Sequence, residues 1–161
     1  MASDMFIKIG DIKGESQDDK HKGEIDLASW SWGVSQTGTM AAGGGGGAGK
    51  ANFGDLHFVH NMDKASPVLA LACASGEHIK SVTLTQRKAG KEQQEFLIIK
   101  MTDVLISSVQ TSASDGSHAF PTESVSLNYA KIEFDYKPQK IDGTLDAAIK
   151  SGWDVKANKK V

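Results

Sequence analysis

The chain has a single cysteine, Cys73, in 161 residues. This excludes an internal disulfide and any metal site built on several thiolates. Cys73 sits in the apolar stretch VLALACA, where a buried, inert thiol is expected. Basic excess is also missing. Eighteen Lys and Arg face twenty Asp and Glu, a formal net charge of -2, so overall charge points neither to nucleic acid nor to an anionic membrane. No apolar run reaches the length of a membrane span, and no membrane insertion is expected. The opening MASDMFIKIGD carries Asp4 and Lys8 around a very short apolar run. It lacks the basic region and the long apolar region of a signal peptide. The expectation is cytoplasmic synthesis and folding, with export only by a route that reads no such signal.

Catalytic signatures are sparse. The five histidines are His21, His57, His60, His78 and His118. His57 and His60 are close in sequence, but on a strand a spacing of three puts them on opposite faces, so they cannot share a metal. Ordinary surface or satisfied histidines are expected. Asp18 and Asp19 lie in GESQDDKHKGE, which lacks the alternate ligand spacing of a calcium loop and reads as a solvated loop. No GxSxG elbow is present, and neither cofactor nor catalytic residue is assigned.

The segment GGGGGAGKA, residues 43–51, comes nearest to a nucleotide motif. Gly44, Gly49 and Lys50 fit the P-loop frame, but Ala51 stands where a magnesium-binding hydroxyl belongs. The preceding SQTGTMAA is polar and small. The following NFGDLHFVH alternates as a strand, with Leu56, Phe58 and His60 on one side. A P-loop needs an apolar strand before it and a helix after it, so three requirements fail together. Two readings remain: a flexible loop, or an exposed loop of small residues that approaches a neighbouring molecule closely.

Most of what is present reads as strand. MFIKI places Met5, Ile7 and Ile9 on one face, and Ser81–Arg87 sets Val82 and Leu84 against Ser81, Thr83, Thr85 and Arg87. EFLIIKMTDVLISSV reads as a strand buried on both sides. RKAGKE, with Ala89-Gly90 at its tip, is a hairpin, and Asp115-Gly116 marks another turn. Two strands change phase: Ile25 and Leu27 give way to Trp30, Trp32 and Val34, and Val125, Leu127 and Tyr129 give way to Ile132, Phe134 and Tyr136. A period of two cannot flip without an inserted residue or a new packing environment. Bends are therefore expected near Ala28-Ser29 and Ala130-Lys131, as in a small barrel or a pair of crossing sheets. Ser66 and Pro67 open one short apolar helix that Gly76 closes. The domain spans residues 1–161 without repeats.

WSWGVSQTG puts Trp30 and Trp32 on one side and Ser29, Ser31 and Ser35 on the other. Such a strand is packed against something or lines a smooth polar space. Together with MFIKIGDIKGES, DLHFVHNMDKASPVLALACASGEH, LTQRKAG, SVSLNYAKIEFDYKPQ and GWDVKANK, in this order, it makes the chain resemble the haemolysin-coregulated proteins (Hcp) of bacterial type VI secretion. The resemblance implies a mainly β fold: a compact β-barrel of two sheets with one short flanking α-helix. It also implies homohexameric rings that stack into a tube, a contractile sheath and spike as partners, and effector proteins carried in the lumen.

Carried over by residue, the resemblance places Ser31 on the channel wall, where packing under a neighbouring strand is the competing reading. Trp30 and Trp32 go to the barrel core. The extended loop with Gly38, Met40, Gly44, Gly47 and Lys50 goes to subunit and ring contacts, and Gly90 to a ring face. The Lys-rich KANKK reads as a solvated end or a ring-face contact. Two other classes stand beside this one: a monomeric β-barrel ligand-binding module with a closed cavity, and a nucleotide-using enzyme acting through Gly44–Lys50. A phage-type tail-tube protein is a near relative of the leading reading.

Overall fold

Period-two alternation yields eleven strands and one helix among residues 3–38, 40–41, 49–90, 92–116 and 120–161, which the computed structural model describes. In chain order they are β1 (Ser3–Ile9), β2 (Ile25–Asp26), β3 (Ser29–Ser31), β4 (Val34–Ser35), β5 (Asn52–Phe53), β6 (Leu56–Asn61), α1 (Ser66–Ser75), β7 (His78–Lys88), β8 (Glu95–Ser112), β9 (Thr122–Tyr136), β10 (Ile149–Asp154) and β11 (Lys159–Lys160). The fold is mainly β, with two sheets and one short helix. Nine strands form one antiparallel sheet, in the order β11-β10-β9-β8-β7-β1-β2, and a branch β6-β3 pairs with β9. β4 and β5 form a separate two-stranded ribbon.

β9 is the fork of this sheet. Its first half pairs with β6, from Asn61↔Thr122 to Leu56↔Leu127. Its second half pairs with β10, from Asp154↔Lys131 to Ile149↔Tyr136. The opposite rim curls back through β2 and β3. There Leu27 N–H donates to Met5 O on β1 at 2.9 Å, and Ala28 N–H donates to Val59 O on β6 at 2.8 Å. These bonds extend the β1–β2 and β3–β6 ladders, so the two rims of the barrel-like sheet are joined through the chain at Leu27–Ala28 and no single ladder closes it.

Both phase changes are real, by different means. β2 and β3 are two strands with different partners, and the break falls at Leu27–Ala28, one residue earlier than expected. On β9 the buried set passes from Tyr129 to Ile132, yet no residue is inserted: Thr102↔Lys131 and Val104↔Tyr129 keep one register. The ladder only skips Asp103, which has φ 55. β7 and β8 flip at the same level, from Val82 to Ile79 and from Met101 to Val104. This corrects the reading of β8 as buried on both sides. Its inward face changes parity at Asp103, and Leu105 is exposed on the outer face. Summed along the sequence, the two parities look like one doubly buried strand.

The interior is filled by side chains without exposure, among them Ile7, Ile25, Leu56, Phe58, Leu84 and Ile99. Burial of this kind is the main source of stability, at about 1.5–3 kcal/mol per large side chain. α1 contributes Leu69 and Ala72 to this core. Cys73 is half-buried at its edge, less enclosed than expected.

Ser66 is not the cap of α1. The residue at the N-cap position is Ala65, which has no side-chain cap of its own; the turn that leads into the helix is capped by Asp63, whose Oδ1 accepts from Ala65 N–H at 2.9 Å. Ser66 Oγ accepts back from Asp63 N–H at 3.1 Å, which is the reciprocal pattern of a capping box. Ser66 belongs to the first turn because Asp63 reaches the free N–H groups first. At the other end Gly76 is left-handed at φ 65, with Gly76 N–H on Cys73 O and Glu77 N–H on Ala72 O, a Schellman motif.

Candidate functional site

The outward face of β3, β6, β9 and β8 is built from two cross-strand rows. One runs Ser31, His57, Ser126, Ser108, and the next runs Ser29, Val59, Ser124, Gln110. None of these eight side chains is Lys, Arg, Asp or Glu. Ser29 and Ser31 are exposed, so Ser31 is not packed under a neighbouring strand. Ser126 Oγ and His57 Nδ1 lie 2.7 Å apart. Beside this row the Asp55 carboxylate accepts from Ser107 Oγ at 2.7 Å and from Asn128 Nδ2 at 2.9 Å. The Asp55 carboxylate is thus fixed in place by two neutral donors.

The reverse side of the same segment is aromatic. Trp30 and Trp32 are half-buried against the core. Trp30 Nε1 donates to Gln86 Oε1 at 3.1 Å. Trp32 Nε1 donates to the Tyr129 hydroxyl, which donates in turn to Gly54 O at 2.7 Å. Burial pushes the Tyr129 phenol above its ordinary range. Trp32 also packs on Phe134, with ring centres 4.7 Å apart, and on Phe53, which stacks on Trp153. The tryptophans therefore fix the plane of the strand that presents Ser31.

The ribbon β4–β5 carries the loop of the glycine tract. Gly38 and Lys50 are exposed, and Met40 is 82% exposed. Gly44 and Gly47 lie outside the described residues. After Lys50 the chain enters β5 and β6, not a helix. Gly90 sits in the β7–β8 hairpin at φ 131 with open space around its Cα, a geometry that favours glycine. Among the described residues, Ser31, the ends of the loop at Gly38, Met40 and Lys50, and Gly90 belong to different parts of the fold.

Sequence reasoning missed a buried polar cluster. The stretch around Asp18 is docked and not merely solvated. Gly14 N–H meets Gly23 O, and Ser16 N–H meets Glu24 O. Ser16 and His21 are buried. His21 is held between Glu24 and Glu95, both at 2.8 Å, and stacks on Phe6. The supposedly polar face of β7 is also buried here, at Thr85 and Arg87. Arg87 binds Asp18 and Asp4, and lies over Phe6. The Arg87 hydrogen bond holds the Asp18 carboxyl down to about 2, and Asp18 raises the guanidinium in turn.

His57 and His60 do face opposite ways. His60 is wholly buried, with Nε2 3.0 Å from Glu123 Oε1. It is not fully satisfied: among the described residues Nδ1 has no hydrogen-bond partner, and Asp63 Oδ2 stands 3.8 Å away. The pairings of His21 with Glu95, Arg87 with Asp18 and Asp4, and His60 with Glu123 have no local sequence signature, because their partners are separated by more than sixty positions.

The match to known proteins covers the whole architecture. A family model described as "Type VI secretion system effector, Hcp" matches residues 6–136. The chain belongs to the Hcp family. It is 54% identical over 160 residues to protein hcp1 of Pseudomonas aeruginosa, covering 98% of each chain. Among solved structures, one titled as a type six secretion system protein superposes with a TM-score of 0.94 at 34% identity, over 99% of this chain and 100% of that one. Hcp1 from Salmonella typhimurium gives a TM-score of 0.83 at 40% identity, with both chains fully covered. As an Hcp, the protein is a component of type VI secretion. Among the described residues, no helix is long and apolar enough to cross a membrane.

Proposed function

We propose that six copies of this chain close into a ring, that rings stack into the inner tube of the secretion apparatus, and that effectors travel in the lumen. The tube assembles in the cytoplasm and leaves with the spike when the sheath contracts. The observation that carries this reading is the uncharged outward face, Ser31–His57–Ser126–Ser108 and its neighbouring row. The exposed Ser29, Ser31 and Ser124 hydroxyls and the Gln110 amide give a wall that offers hydrogen bonds without fixed charge, with Ser126 buried beneath and holding His57, so unlike cargoes can pass along it.

Two further features support assembly. The sheet ends on unlike strands, β2 at one rim and β11 at the other, and a head-to-tail ring needs two unlike surfaces. Met40, Ile141 and Ile149 are largely exposed on the free chain, as residues awaiting a partner surface are. The loop with Gly38, Met40 and Lys50 takes the subunit contacts in this reading, and Gly90 a ring face. The ligand-barrel alternative has little room, since the centre of the curled sheet is filled by the core.

Native mass spectrometry near physiological salt, with negative-stain images of the same sample, tests the ring. Six-subunit species with ring-shaped particles are expected. A strict monomer at every concentration overturns self-assembly.

A further inference from the structure

A second surface lies away from the Ser31 face. An open groove of about 950 Å³ runs between α1, the end of β1 with the turn after it, and the start of β7. Its floor is apolar: Ile9 and Ile79 are buried beneath it. Gly10, at φ +48, passes so close that a Cβ there would stand 3.1 Å from Ile79 Cγ2. A side chain at position 10 would therefore crowd Ile79 on the floor.

The groove is lined by four lysines, Lys8, Lys13, Lys64 and Lys80, against two carboxylates, Asp11 and Glu77. Its one imidazole, His78, is turned to Asp103 at 3.3 Å. None of the four lysines has a carboxylate within ion-pair distance among the described residues, where the lysine pair formed is Lys150 with Asp135. On a chain of net charge -2, this is a local reversal of sign. Val68 lines the helix side of the groove and is exposed, and so is Leu71, one turn further along α1. Positions three apart share a side of a helix.

We propose that this groove is a docking surface for an acidic, amphipathic segment of a partner protein. Carboxylates of the segment pair with the lysines, and its apolar side chains cover Val68 and Leu71, as in helix-in-groove recognition. Charge complementarity sets the class of occupant. The apolar strip on α1 has no use in binding a phosphate backbone, whereas an amphipathic segment covers it. The surface does not involve Ser31 or the glycine loop, so this inference stands apart from the channel reading.

The test uses the full-length protein and three fluorescein-labelled probes: a twelve-residue Glu/Leu peptide with leucines three and four apart, the matching Lys/Leu peptide, and a single-stranded DNA oligonucleotide. Fluorescence anisotropy is read at low and high salt. The Glu/Leu peptide binds, and binding weakens as salt rises. The Lys64→Glu/Lys80→Glu variant binds it about tenfold more weakly, and Val68→Ser also weakens it. Lys159→Glu, on β11, leaves binding unchanged. These positions are exposed, so circular dichroism of each variant matches the parent. No binding of the Glu/Leu peptide overturns the proposal. So does binding indifferent to Lys64 and Lys80, or a clear preference for the DNA.

Discussion

Arg87 and Asp18 meet across 69 residues of sequence, with Nη1 donating to Oδ1 at 3.0 Å and the arginine only 2% exposed. The carboxylate is what makes the buried guanidinium tolerable, because a buried charge without a partner is costly. Asp18→Asn therefore lowers the thermal midpoint at neutral pH. The Asp18 pKa is depressed when folded, so its contribution is full above the ordinary carboxylate range and is lost as pH falls toward about 2. The gap between parent and Asp18→Asn closes over that acid window in urea titrations at stepped pH. A gap that stays constant from pH 5 to pH 2 refutes this assignment.

Gly14 makes the same loop sensitive to a single methyl group. A Cβ there would lie 2.5 Å from Glu24 O and 2.8 Å from Ile25 Cγ1. Gly14→Ala forces apart the hydrogen-bonded neck at Gly14–Gly23. A loss of about 1–3 kcal/mol is expected from overpacking, read as a lower urea midpoint at unchanged m-value. A midpoint equal to the parent's shows that the neck yields freely.

Asp63 offers a comparison between two variants. Burial raises its carboxyl pKa in the fold, so ionised Asp63 carries a penalty that protonation relieves. The linkage favours the fold at low pH and fades as pH rises through the raised value. Asp63→Asn keeps a capping oxygen without the charge and is at least as stable as the parent at pH 7. Asp63→Ala loses the cap, at a cost of about 1 kcal/mol. Chemical denaturation of both variants at one pH decides the point, and equal stabilities refute the capping role.

Tyr129→Phe removes the hydroxyl that joins Trp32 Nε1 to Gly54 O. It leaves a donor and an acceptor without each other, at a cost of about 1–3 kcal/mol. Tryptophan emission shifts as Trp32 loosens, while the secondary structure seen by circular dichroism is kept. An unchanged emission maximum and midpoint count against the relay.

Ser31→Gln keeps stability within about 0.5 kcal/mol, as at other exposed positions. In the proposed channel it thickens the wall six times per ring. The effector protein recovered per ring is expected to fall several-fold, with ring formation intact by native mass spectrometry. Equal recovery would remove Ser31 from the cargo surface.

The strand pattern was legible because alternation is local. Leu56, Phe58 and His60 against His57 need only their own segment, and so does the split between Trp30 or Trp32 and Ser31. Phase changes were legible as events but not as mechanisms. The flip at Ala130 depends on Asp103 of the neighbouring strand, which carries no mark in its own sequence. The reading of β8 failed for that reason, since two half-strands of opposite parity add up to one apolar run. Asp18 read as solvated because its partner, Arg87, belongs to another strand, and helix capping was misplaced because Asp63 and Ser66 are both good candidates. The Ser31 face needed register as well as alternation, because His57, Ser126 and Ser108 join it only through pairing.

The fork at β9 has a consequence in time as well as in space. β6 is complete by Asn61, yet its second neighbour begins only at Thr122. β1 waits in the same way for β7. While the chain is being made, β6 and β8 each hold an edge that nothing yet covers, and open edges invite pairing with other chains. Such distant pairings also make folding slow. Order of synthesis therefore guards against premature association poorly, and the last long strand to emerge is the one that seals both edges at once.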